Sequence, residues 1–265
     1  MKKVAIIFTL LFLIFGGYSQ GIGNAAVIAF FDNSAYTDPA QESAQLITSL
    51  TNLGHTVNVF SGITASAWTT ATAGADLLVI PELDNASLFP DLDGAAQAAI
   101  ANYVISGGGL LMFDRTAHTL PMLNGIFGYG LFNAGPGVTN LNVTDATGTP
   151  FAGGPAALSA PSSTDGVLTT SLPAGALDLY NNGTGATSVF ALQEGQGHIV
   201  YLGFDWTTLP TPSEWEEVLG SAVIFAQTKQ NVQVPTMTEY GMIAFIVLAG
   251  LGAICYLKSR KIAEN

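Results

Sequence analysis

Asp76-Leu-Leu-Val-Ile-Pro81 and Ile105-Ser-Gly-Gly-Gly-Leu-Leu-Met-Phe113 decide the fold. Each contains an unbroken apolar run of strand length, with no polar alternation. Such a run predicts a strand covered on both faces, the habit of parallel sheets. Between the two lies Gly94 to Ser106, rich in Ala, with Ile100, Tyr103 and Val104 at helical spacing. Strand, helix and strand in that order make a βαβ unit.

The same rhythm extends outward. Asn24 to Phe31 is a further buried strand. Asp38-Pro39 pairs a capping residue with a good first helical residue, so a helix is expected from there to Leu53. It places Ala44, Ile47 and Leu50 on one face, and Gly54 closes it. His55 to Phe60 alternates as a strand, and Ala65 to Thr72 reads as a short helix. Towards the other end, Glu194-Gly195-Gln196-Gly197 predicts a hairpin turn into the strand His198 to Phe204. Ser213 with Glu216 three residues later has capping-box spacing and opens a helix through Val218, Ala222 and Phe225 to Gln227. Between Asn133 and Gly197 the texture changes to Gly, Thr, Pro and Asn. Short apolar stretches at Leu141-Val143, Val167-Leu168, Leu177-Tyr180 and Val189-Leu192 predict added β-structure. The expected fold class is α/β: a doubly wound, mostly parallel sheet over residues 24–228, with a β-rich part at 133–197.

Composition and charge narrow the function classes. The chain of 265 residues is 49% hydrophobic and 10% charged, with a net charge of -12. Of seven basic residues, five lie at the two ends. The body from 20 to 233 keeps only Arg115 and Lys229, against 17 of the 19 acids. Such a surface repels phosphate backbones, so no nucleic-acid partner is expected. The one cysteine, Cys255, lies in the C-terminal apolar run, so the body has no disulfide, thiolate nucleophile or cysteine metal site.

The ends read as addresses. Lys2-Lys3, the apolar run Val4 to Phe15, and the small residues Gly17 and Ser19 fit a signal peptide over residues 1–19. At the other end a linker (229–233) leads to Val234-Pro-Thr-Met-Thr-Glu-Tyr-Gly241, an apolar run from Met242 to Leu257, and Lys258-Ser-Arg-Lys261. Tyr240 to Leu257, as a helix, is about 27 Å long, slightly short of a hydrocarbon core of roughly 30 Å. A single C-terminal transmembrane helix is expected there, with the body outside the inner membrane.

Ligands of doubly wound sheets sit beyond the carboxyl ends of the strands. The residues just past those ends are Asp32, Glu82, Asp84, Asp114, Arg115, His118 and Asp205. Two readings stand. They form an acidic crevice for a cation or a polar ligand, or they cap helices and turns as acids commonly do. For Arg115 the pair is a grip on a ligand carboxylate, or an ion pair with Asp114, Asp84 or Asp205. A hydrolase would assemble His118, Asp205 and a hydroxyl such as Ser34 or Thr116, but no Gly-x-Ser-x-Gly elbow is present. Neither a metal site nor a cofactor motif is evident: Gly107-Gly108-Gly109 lacks the lysine and helix of a phosphate loop.

Two resemblances rest on these residues. Asp76 to Pro81, Ile105 to Phe113 and Gly195-Gln-Gly-His-Ile-Val-Tyr-Leu-Gly-Phe-Asp-Trp206 resemble the class I glutamine amidotransferase-like superfamily over most of residues 25 to 228. That implies a flavodoxin-like fold. Active members carry a cysteine nucleophile on a sharp strand-to-helix elbow. Here Phe113 runs into Asp114-Arg115-Thr116, so the resemblance implies a non-catalytic or repurposed member. The tail is similar to the Ile-Pro-Thr-Leu-Ser-Glu-Trp-Gly sorting signals of Gram-negative bacteria. Pro235, Thr236, Glu239 and Gly241 match outright, and Val234, Met237, Thr238 and Tyr240 are conservative replacements. The resemblance implies an exosortase-type processing enzyme as partner. The plain alternative is a membrane anchor with Tyr240 at the interface. The expected function is an exported surface protein with a non-catalytic binding or structural body. A crevice hydrolase and a cation-stabilised surface-layer component are the alternatives.

Overall fold

The computed structural model describes residues 25–228 save 136, 160, 208 and 209. The expected signal peptide, linker, sorting motif and transmembrane segment lie outside these residues. Among the described residues no helix is long and apolar enough to cross a membrane.

Strands β1 (Val27–Phe31), β2 (Thr56–Phe60), β3 (Leu77–Ile80) and β4 (Gly109–Phe113) alternate with helices α1 (Glu42–Asn52), α2 (Ala65–Thr72) and α3 (Gly94–Ile105). Helix α4 (Thr116–Phe127) follows β4 directly. The β-rich part holds β5 (Thr139–Leu141), the short helix α5 (Val143–Ala146), β6 (Ala157–Leu158), β7 (Val167–Leu168), β8 (Leu177–Asn181) and β9 (Ala186–Glu194). Strand β10 (Gly197–Leu202) and helix α6 (Ser213–Gln227) complete the fold.

One sheet runs β2-β1-β3-β4-β10-β9-β8-β5-β6, with β7 also on β9. The half from β2 to β10 is parallel, and the rest is antiparallel. The parallel half has the flavodoxin-like order, and its direction of winding reverses between β1 and β3. The β-rich region is thus a continuation of the same sheet. It joins through the β9–β10 hairpin, where Gly195 takes φ 60° between Glu194 and Gly197.

Strand alternation divides the interior into two cores. Ile28, Phe30, Leu77, Val79, Leu111, Phe113, Val200 and Leu202 face α1 and α6, with Leu46, Leu50, Trp215 and Val218 opposite. Ala29, Phe31, Leu78, Ile80, Leu110 and Met112 face the other layer, against Trp68, Ile100, Val104 and Leu123. Burial on both faces explains the unbroken apolar runs.

Four local expectations need correction. Asp38 does not cap α1: its Oδ1 accepts from the Ala40 amide within a turn, and the helix starts at Glu42. The buried face of α1 is Glu42, Ser43, Leu46, Ser49 and Leu50, and Ala44 is exposed. Ser213 lies inside α6 rather than capping it, and Glu216 accepts a 2.5 Å hydrogen bond from Ser49 Oγ on α1. Val143 opens a helical turn rather than closing a strand.

Candidate functional site: an acidic crevice beyond the strand ends

The site lies beyond the carboxyl ends of β3, β4 and β10, next to the point between β1 and β3 where the winding reverses. Glu82 and Asp84 follow β3, Asp114 and Arg115 follow β4, and Asp205 follows β10. Helix α1, entered from β1, brings Glu42 over the same edge. Glu42 and Glu82 line a slot with Leu46, Phe113, Phe204 and Trp206 that is too narrow to admit a water. Trp206 forms one wall, standing edge-on to Phe113 (5.2 Å, 87°) and Phe204 (5.0 Å, 79°).

Arg115 holds the turn between β4 and α4. It is the only non-glycine residue with positive φ among the described residues (φ 49°, ψ 61°). A left-handed side-chain-bearing residue costs on the order of 1 kcal/mol or more and persists only where its surroundings fix it. Here the fixing contacts are ionic. Arg115 Nη2 lies 2.7 Å from Asp84 Oδ1, and Nη1 lies 3.8 Å from Glu82 Oε1. The turn is held from below as well. Asp114 is buried; its amide donates to the Leu202 carbonyl, and its Oδ1 accepts from the Asp165 amide. Asp165 in turn caps α4 from a distant loop, its Oδ2 accepting from both the Thr116 amide and Thr116 Oγ1 at 2.8 Å. That supplies the anionic cap that Arg115, the residue in the capping position, does not.

The electrostatics are unusual. Glu82 and Glu42 are 4% and 5% exposed. Each has one carboxylate oxygen, Oε2, that is buried without a hydrogen-bond partner, and Trp206 Nε1 is a buried donor in the same condition. Burial, with Asp114, Glu42 and other acids nearby, pushes the Glu82 carboxyl up to about 10. Burial and the charges of Asp205, Asp84 and Asp38 push Glu42 up to about 8, against the opposing pull of Arg115. Burial, reinforced by Asp165, also raises Asp114 well above the usual carboxylate range. One oxygen from each of Glu42, Glu82 and Asp84 lies within 4.8 Å of the others.

Of the seven residues expected at this edge, Glu82, Asp84 and Arg115 are joined by ion pairs, and Asp114 lies beneath them. Asp205 turns to its own loop, accepting from the Thr207 amide and hydroxyl, though its charge acts on both Glu42 and Glu82. Asp32 accepts from Thr37 Oγ1 (2.7 Å) and Ser43 Oγ (2.9 Å), ordering the approach to α1. His118 is engaged by the backbone between Glu82 and Asp84: its Nδ1 bonds the Leu83 carbonyl. The Thr116 hydroxyl donates to Asp165 and accepts from Asn133 Nδ2. The imagined hydroxyl–His118–Asp205 relay is therefore not linked by hydrogen bonds.

Glu42 and Asp165 were not among the expected residues. Glu42 had a readable signal. It lies four and eight residues before Leu46 and Leu50, a carboxylate on the apolar face of its helix. Asp165 carried none, since its partner Thr116 is 49 residues away.

No protein-family model and no curated protein matches the sequence. Solved structures do. A protein described as ThuA-like from Bacteroides uniformis aligns with a TM-score of 0.53 at 15% identity, over 78% of this chain and 95% of that one. A second ThuA-like protein, from Parabacteroides merdae, aligns with a TM-score of 0.53 at 14% identity, over 80% of this chain and 94% of that one. At such identities the likeness is one of fold, and the body of this chain has the class I glutamine amidotransferase-like fold.

Proposed function

We propose that this chain is an exported bacterial surface protein whose amidotransferase-like body binds or supports rather than catalyses. Its C-terminal segment (242–257) holds it at the inner membrane with the body in the periplasm. The motif Val234–Gly241 offers it to an exosortase-type enzyme for transfer to the cell surface. The observation that carries the reading is Arg115. It occupies the left-handed strand-to-helix turn where active members of the superfamily place their nucleophile. A guanidinium engaged by two carboxylates is not a nucleophile, and no thiol lies anywhere in the body. The acids and aromatic groups beside it line a narrow buried slot rather than a relay for proton transfer.

Two measurements test the two halves. Intact-mass analysis of membrane and surface fractions should show a surface form lacking the residues after the motif. A full-length C-terminus at the surface overturns the sorting role. Purified full-length protein should hydrolyse neither ester nor amide substrates above background. Turnover abolished by Arg115→Ala overturns the non-catalytic role.

A further inference from the structure

We propose that Glu42, Glu82 and Asp84 form a binding site for one divalent cation of the hard, oxygen-preferring class, calcium above others. The inference rests on the reading of the crevice as a binding feature and names its ligand.

Three observations carry it. First, the geometry fits. One oxygen from each residue lies within 4.8 Å of the others, and an ion bonded to oxygens at about 2.4 Å spans two ligands about that far apart. Second, the chemistry is incomplete as it stands. Glu42 Oε2 and Glu82 Oε2 are buried and unpartnered, on side chains 5% and 4% exposed, and both line the slot. A buried carboxyl oxygen without a partner is costly, and a cation held between the two groups in place of their protons offsets that cost. Third, the slot selects. The side lined by Glu42 and Glu82 is too narrow for a water, while Asp84 stands outside it, part-exposed; cation–oxygen bonds of about 2.4 Å are shorter than hydrogen bonds of about 2.8 Å. Magnesium retains several waters and demands octahedral geometry, so an irregular all-carboxylate site with two buried glutamates favours calcium. Soft metals are disfavoured because, among the described residues, no sulfur or imidazole ligand joins the three oxygens.

Arg115 is the competitor. Its guanidinium holds Asp84 Oδ1 at 2.7 Å and stands 3.8 Å from Glu82. Its side chain is 47% exposed, so it has room to swing outward as the ion enters.

The test uses the full-length chain, first stripped with a chelator. About 10 mM calcium is expected to raise Tm by roughly 3–6 °C, with magnesium giving less than half of that. Terbium(III) should show luminescence sensitised by Trp206, displaced by calcium. Glu42→Gln and Glu82→Gln should each abolish both responses while retaining the folded circular dichroism spectrum. Arg115→Gly, which suits the left-handed backbone, should bind calcium about fivefold more tightly. The proposal fails if calcium leaves Tm unchanged and terbium stays dark. It also fails if the glutamine variants respond like the wild type, or if magnesium acts as strongly as calcium. Hydrolysis that appears only with calcium would overturn the non-catalytic reading and leave the cation site standing. Absence of both binding and turnover would overturn the site alone.

Discussion

Replacing Glu82 by Gln should stabilise the cation-free protein, increasingly so as pH rises. The unfolded chain releases this proton near pH 4.5, and the folded chain retains it up to about 10. Stability is therefore undiminished by this group below about pH 4.5 and is lost progressively as pH rises through that window. At pH 7 the folded side chain remains neutral. The cost is then about 2.5 pH units, or on the order of 3 kcal/mol. Gln has nearly the same shape and no proton to lose, so it escapes that cost. The 3.8 Å contact of Glu82 with half-exposed Arg115 is not a charged pair while the side chain is neutral, so losing it costs well under about 1 kcal/mol. The net gain at pH 7 is about 2–3 kcal/mol, or roughly 5–10 °C in Tm, shrinking to under about 0.5 kcal/mol at pH 4.5. Thermal melts of both proteins by circular dichroism in EDTA, at half-unit steps from pH 4.5 to 9, measure this directly. An advantage independent of pH would refute the reasoning, as would a wild-type Tm that climbs from pH 5 to 8.

Other positions give sharp expectations. Asp165→Ala removes the remote cap of α4 and leaves the Thr116 amide unpartnered; a loss of about 1–2 kcal/mol in denaturant melts is expected, with Asp165→Asn losing less. Gly203→Ala drives a methyl group into the Asp165 backbone carbonyl, and that residue cannot yield without breaking the bond its amide donates to the Gly203 carbonyl. It should cost about 1–3 kcal/mol, and an unchanged melt would show that the loop is not fixed there. Ser49→Ala deletes the 2.5 Å bond that ties α1 to Glu216 of α6. Urea titration should show a loss of about 1 kcal/mol, and the effect should vanish in a Glu216→Ala background.

The parallel half of the fold was legible because burial on both faces writes itself into sequence as unbroken apolar runs at β1, β3, β4 and β10. The Glu194–Gly197 hairpin was legible because only a glycine takes positive φ freely. Helix α4 was not. Pro121 and Gly125 interrupt its pattern, its cap comes from Asp165, and Gly125 is needed because a Cβ there would overlap the Phe89 ring. The caps at Asp38 and Ser213 misled for a related reason. Their side chains fit a local rule, but the helices start where packing against the sheet begins. In the site, strand ends announced Glu82, Asp84, Asp114 and Arg115. Which of them meet was decided by loop conformations, Asp205 and Asp32 satisfying their own turns, and by Glu42 arriving from a helix.

The turn at Arg115 has a consequence for engineering. Its backbone keeps the left-handed shape on which a reactive side chain can be displayed, so Arg115→Cys would place a thiol there with little rebuilding. The thiol would nevertheless be inert. Removing the guanidinium deletes the one positive charge that, among the described residues, pairs with Glu82 and Asp84, and the acids left behind hold a nearby thiol in its protonated form. Conversion of this scaffold into a catalyst would have to neutralise the acids first and install the nucleophile second.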